Sequence, residues 1–173
     1  MEFKRTQYIY QGQEKLPNQS WHRYFKDSIV GKQYEVLYQM DGDEIGKLVM
    51  SNTEYELKTN TPFFEEVQKR GPGCKVLSIG YGIGFVNEVM KSLKADFTVI
   101  EKYKQVIDLA PPVPKHVRLI MGDINTMDLR MQLGKQKFDI IFCDITDSDQ
   151  FIREPDLWDF LEEGGRIMHW VHM

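Results

Sequence analysis

Gly80-Tyr81-Gly82-Ile83-Gly84 sets three glycines at alternate positions, directly after the apolar run Val76-Leu77-Ser78-Ile79. Glycine reaches positive φ without steric cost and lets a ligand approach the backbone. A glycine turn between a strand and a helix therefore suits a phosphorylated or nucleoside-like ligand. Acidic residues follow at the ends of later apolar runs. Glu101 comes after Phe97–Ile100, Asp123 closes Ile120-Met121-Gly122-Asp123, and Asp144 follows Phe138–Cys143, with Asp147 three places further on. Glu101 stands 21 residues after Gly80, about the reach at which an acid binds ribose hydroxyls.

The same stretch excludes several ligands. A dinucleotide fingerprint needs a glycine or alanine at position 85, for close helix–strand packing, and Phe85 stands there. A phosphate loop ending in Gly-Lys-Ser/Thr is missing, which weakens an ATP reading. The four histidines, at 22, 116, 169 and 172, have no zinc-site spacing, and Cys74 and Cys143 suggest no disulfide framework. Cys143 reads as a small hydrophobe beside Asp144. A net charge of −4 disfavours a broad polyanion-binding surface, so a nucleic-acid partner is not expected.

These residues need a scaffold, and the chain supplies one. Its 173 residues, 42% hydrophobic and 28% charged, suit one soluble domain with a real core. Short, nearly all-apolar strands are predicted at Lys75–Ile79, Phe97–Ile100, Val117–Met121, Phe138–Cys143 and Arg166–Val171. Helices are predicted near 84–94, 103–110, 126–134 and 156–162, the second ended by Pro111-Pro112. Such alternation predicts an α/β fold with a doubly wound, mostly parallel, Rossmann-like sheet. Ahead of it, residues 34–50 read as a β-hairpin around a Gly-Asp turn. Thr61-Pro62 reads as a helix start, and Gly71 as its end. The first 30 or so residues, with Trp21, Tyr24 and Phe25, read as an irregular arm that could cover the ligand or meet another subunit. The expected division is an arm and hairpin over 1–60 and a ligand-binding core over 61–173. The N-terminus carries no apolar signal segment and no stretch approaches a membrane span, so a cytoplasmic location and no membrane partner are expected.

In order and spacing, Gly80/Gly82/Gly84, Glu101, Asp123 and the Phe138–Asp147 segment resemble the class I S-adenosylmethionine-dependent methyltransferases, over roughly residues 74–171. The resemblance implies sheet order 3-2-1-4-5 for the core strands and S-adenosylmethionine as cofactor. Glu101 would hold the ribose diol, and Asp123 would lie near the adenine. Gly80, Tyr81, Gly82, Gly84, Lys102, Ile124 and Asp144 would complete the cofactor site, with Tyr81 and Ile83 as contact surface. Within that superfamily the spermidine-synthase-like branch looks similar. Ser78 stands where many methyltransferases carry an acid, and Asp144/Asp147 match a D-x-x-D segment, although Ser148 replaces the proline that often follows.

Transfer from a sulfonium needs little acid–base machinery, because the leaving thioether is neutral. For an amine acceptor, the pair Asp144 and Asp147 could hold the ammonium end and take a proton as the nitrogen attacks. The expected activity is methyl transfer to a small molecule, with an amine or guanidine as the acceptor class. The alternatives are an aminopropyltransferase using decarboxylated S-adenosylmethionine, and a reduced, non-catalytic nucleoside-binding protein. The family's last two strands are not present, which would leave a sheet edge open for a homo-oligomer. His169 and Trp170 are expected to pack rather than react.

Overall fold

The computed structural model describes residues 1–84, 91–144 and 157–170. Among the described residues the strands form two sheets. An antiparallel three-stranded sheet has order β1-β2-β3, from Phe3–Ile9, Gln33–Asp41 and Glu44–Ser51. A five-stranded sheet follows, from β4 (Lys75–Ile79), β5 (Asp96–Glu101), β6 (Val117–Met121), β7 (Phe138–Cys143) and β8 (Leu161–His169). Its order is β6-β5-β4-β7-β8, and all four pairings are parallel. Counted within this sheet alone, that is third, second, first, fourth, fifth. The helices are α1 (Gln19–His22), α2 (Glu54–Arg70), α3 (Lys104–Leu109) and α4 (Met127–Leu133).

The apolar strands explain the layering. Along β4, Val76 joins one core cluster and Leu77 and Ile79 the other, on opposite faces of the sheet. One cluster is shared with the N-terminal sheet and α2, where the rings of Phe63 and Phe142 stack at 4.0 Å. The second holds Ile100, Ile141 and the α4 residues Leu129 and Leu133. Burial on both faces is what a parallel sheet needs. Both cysteines are buried, and neither is in a disulfide. Among the described residues, no helix is long and apolar enough to cross a membrane.

Four expectations are corrected. The first residues are not an irregular arm. Phe3–Ile9 pairs with β2 in register from Phe3↔Gln39 to Ile9↔Gln33, and Trp21, Tyr24 and Phe25 are all fully buried. Phe3 alone on β1 is buried, so the strand carries no alternating signal. The helix expected from Thr61 begins instead at Glu54, with Pro62 inside it. Pro62 removes a donor to the carbonyl of Lys58, but both residues are exposed, so water can take its place. The last strand starts at Leu161 rather than Arg166, which replaces the C-terminal part of the helix expected near 156–162. Its register jumps from Phe138↔Leu161 to Ile140↔Arg166, leaving Glu162–Gly165 as a bulge. Finally, Lys91–Leu93 forms a 3-10 turn, and most of the helix expected near 84–94 falls outside the described residues.

Candidate functional site

The carboxyl ends of β4, β5, β6 and β7 meet at a cleft of about 170 Å³, roofed by residues of the N-terminal sheet such as Phe3, Leu37 and Met50. Open α/β sheets bind ligands at this edge, where strand order reverses on either side of the first strand. The glycine loop forms its floor. The Gly80 N–H donates to Ile100 O at 2.8 Å, and a Cβ on Gly80 would stand 2.5 Å from the Asp144 carbonyl oxygen. With φ at 103°, that position is closed to other residues on both counts. At Gly82 a Cβ would collide with the thioether of Met50 on β3, whose sulfur also accepts from the Ile83 N–H at 3.2 Å.

Glu101 closes β5 with only 6% of its surface exposed. One carboxylate oxygen accepts from Tyr81 N–H at 3.0 Å, the other from Tyr103 N–H at 2.7 Å. Burial raises its pKa, opposed by the backbone N–H groups of Tyr103, Tyr81, Lys102 and Gly82. The carboxylate is thus held by the backbone of the glycine loop and of the turn after β5, at the cleft wall.

Asp123 follows β6 and accepts from Asn125 N–H at 3.0 Å, an Asx turn, while Lys102 pairs with it at 3.0 Å. Burial works to raise its pKa, but the Asn125 N–H and the Lys102 ammonium outweigh it and hold the carboxyl below its usual value. The buried Ile124 lies beside it at the cleft wall. Asp144 caps β7, its N–H bonded to Ile79 O at 2.9 Å. Burial, then the charge of Glu101, push its carboxyl up to about 7.

The fold thus gathers Gly80, Gly82, Glu101, Lys102, Asp123, Ile124 and Asp144 around one cleft. Tyr81 and Ile83 bury their side chains in the core beneath the loop, and Gly84 packs on the Tyr81 ring. Asp147, the second expected acid of the reaction centre, lies outside the described residues. Trp170 is buried, as expected of a packing residue.

Sequence reasoning missed Glu56. It sits on α2 at 1% exposure and lines the cleft near Asp144. Its Oε2 accepts from Trp170 Nε1 at 3.2 Å and Asn60 Nδ2 at 3.4 Å, while Oε1 has no hydrogen-bond partner. Burial, then the charge of Asp144, raise its pKa well above the usual range, against the Trp170 indole, the Ser51 N–H and Arg23. The stretch Glu56-Leu57-Lys58-Thr59-Asn60-Thr61 reads as polar surface. Only the i, i+3, i+4 spacing of Glu56, Thr59 and Asn60 hints that it forms one polar helix face. Among the described residues, no group of His, Cys, Asp and Glu could hold a metal ion.

No family model matches the chain. No curated protein matches it in sequence. Solved structures do match. A Plasmodium falciparum protein described as a protein-L-isoaspartate O-methyltransferase, in complex with S-adenosyl-L-homocysteine, is 15% identical with a TM-score of 0.52, covering 75% of this chain and 62% of that one. An S-adenosylmethionine-dependent methyltransferase from Agrobacterium tumefaciens is 14% identical with a TM-score of 0.52, covering 80% of this chain and 50% of that one. A protein-L-isoaspartate O-methyltransferase is 21% identical with a TM-score of 0.50, covering 75% and 39%. This chain therefore spans from about two fifths to about three fifths of the length of those proteins. None of the three is a spermidine synthase. The chain has the Rossmann-like fold of the class I S-adenosylmethionine-dependent methyltransferases.

Proposed function

We propose that the protein is an S-adenosylmethionine-dependent methyltransferase that acts on a small molecule, with an amine or guanidine as the acceptor class. The observation that carries this reading is Glu101. It is a buried carboxylate at the end of the second core strand, fixed by the backbone of the glycine loop, and it lines a cleft at the switch point of a methyltransferase fold.

The residues present fit the cofactor. Gly80 and Gly82 bring the loop backbone to the cleft wall, Glu101 can meet vicinal hydroxyls, and Asp123 with Ile124 can border a purine. Four carboxyl groups, Glu56, Glu101, Asp123 and Asp144, border one cleft against the single ammonium of Lys102, and favour a ligand carrying positive charge. When bound, S-adenosylmethionine supplies a methyl group on a positively charged sulfur. The protein's own part is to orient the acceptor, exclude water beneath the β1–β3 roof, and receive a proton at a carboxylate poised near neutrality, Asp144.

Isothermal titration with S-adenosylmethionine, its decarboxylated form and S-adenosylhomocysteine tests this. Binding of the first and last is expected, with Glu101→Ala losing at least about tenfold in affinity, because two hydroxyl bonds to a charged group are removed. A preference for the decarboxylated form would favour aminopropyl transfer instead, and no binding of any of the three would end the proposal. We further propose that β8, an edge strand of the five-stranded sheet, pairs with a second copy. Light scattering that finds only monomer at high concentration would remove that part.

A further inference from the structure

We propose that the acceptor's seat is built by Glu56 together with Asp144, and that it takes a small primary amine, bound as its ammonium with its apolar tail under the β2–β3 roof. This deepens the preceding reading and rests on it. Glu56 is the starting point, because its Oε1 is a buried carboxylate oxygen with no partner, on a residue that lines the cleft. One turn further along α2, Asn60 is fully buried and its Oδ1 is also unpartnered, since its amide nitrogen is spent on the Glu56 carbonyl at 2.8 Å. An unpartnered buried polar oxygen is costly, and a cationic donor at Glu56 would both satisfy Oε1 and favour the ionised carboxyl.

The neighbours specify that donor. Both residues line the same cleft; the charge of Asp144 raises the cost of ionising Glu56, and that of Glu101 raises the cost of ionising Asp144. A cation between them relieves that cost and donates to Glu56 Oε1, whereas a neutral alcohol can donate to that oxygen but offsets no charge, and an anion does neither. The aromatic faces nearby are already used. The Arg23 guanidinium lies 5.0 Å from the Tyr24 ring and 5.3 Å from the Trp170 ring. The open place for a new cation is therefore on the carboxylate side, beside the glycine loop. Leu37, Val49 and Met50 over it are apolar, which suits an alkyl tail and not a second charge.

In the reaction, the ammonium passes one proton to a carboxylate of the pair, which frees the nitrogen lone pair. The N–C bond then forms as the donor's C–S bond breaks, its electron pair staying on sulfur, and the product leaves as a secondary ammonium. Asp144 is suited to receive the proton, and Glu56 to hold the remaining N–H.

Calorimetric titration of the full chain with n-butylamine and with 1-butanol, each with and without S-adenosylhomocysteine, tests the seat. The amine is expected to bind at least tenfold more tightly than the alcohol, and Glu56→Gln is expected to erase that preference. Equal binding of amine and alcohol by the unaltered protein would overturn the proposal, as would a Glu56→Gln protein that keeps the preference. The first comparison needs no variant and holds even if Glu56→Gln does not fold. S-adenosylhomocysteine binding without amine preference would sink this inference alone. Failure to bind S-adenosylhomocysteine would sink the methyltransferase reading, while the amine titration still decides the seat.

Discussion

Glu101 and Glu56 are both buried carboxylates on one cleft, at 6% and 1% exposure, yet they stand in opposite states. Glu101 has a backbone N–H on each oxygen. Glu56 has the Trp170 indole and the Asn60 amide on Oε2 and the Ser51 N–H acting on its carboxyl, while Oε1 makes no hydrogen bond. The first is a finished part, holding the glycine loop in shape before any ligand arrives. The second is an unfinished one, whose missing partner has to come from outside. Preorganisation and recognition are thus divided between the two ends of the cleft.

The largest expected effect comes from breaking the finished end. Glu101→Ala strands two buried N–H groups and is expected to cost about 2–4 kcal/mol of stability, read by urea unfolding, in addition to the lost cofactor affinity. Gly80→Ala should follow, at about 1–3 kcal/mol, because it forces a side chain into positive φ against the Asp144 carbonyl. Glu56→Gln is the contrasting test. It keeps an oxygen for the Trp170 indole and removes a carboxyl whose ionisation the fold resists, so stability at neutral pH is expected to stay level or rise. A fall of more than about 2 kcal/mol, the scale of a lost charged hydrogen bond, would show that Glu56 is already satisfied and erase the contrast.

The pH dependence sharpens the same point. Asp144 ionises at about 7 in the fold against 3.8 in an unperturbed chain. Between those values the folded state holds a proton that the unfolded state has lost, so stability falls as pH rises through the window. Thermal melts should therefore rise as pH is lowered from 7 towards 4, and Asp144→Asn should flatten that slope. The smallest effect is expected at the exposed end. Asp123→Asn loosens a half-exposed pair with Lys102 and should cost under about 1 kcal/mol.

What the sequence displayed and what it hid follow from the same division. The glycine loop, Glu101, Asp123 and Asp144 are legible because each stands just past an apolar strand, and strand ends in a parallel sheet converge by topology. Glu56 is not, because its position depends on α2 continuing back through Pro62 to Glu54, and a polar run ahead of a proline reads as a loop. Buried polar residues in that run bond back to the helix, as Thr59 does to Tyr55 O at 3.1 Å, which no apolar period reveals. β1 was hidden for a related reason. It is an edge strand whose outer positions face water, so the strand is recognisable only once β2 is beside it.

The indole of Trp170 that touches Glu56 lies 114 positions away along the chain, whereas the Tyr81–Glu101 bond spans 20. Closing a longer loop costs more chain entropy, and long-range contacts form late. The two carboxylates are therefore expected to take their places at different moments of folding, Glu101 with the neighbouring strand and Glu56 when β8 docks. Refolding followed by tryptophan fluorescence and by ligand capture should separate these events in time, with the seat for the acceptor the last piece of the molecule to take shape.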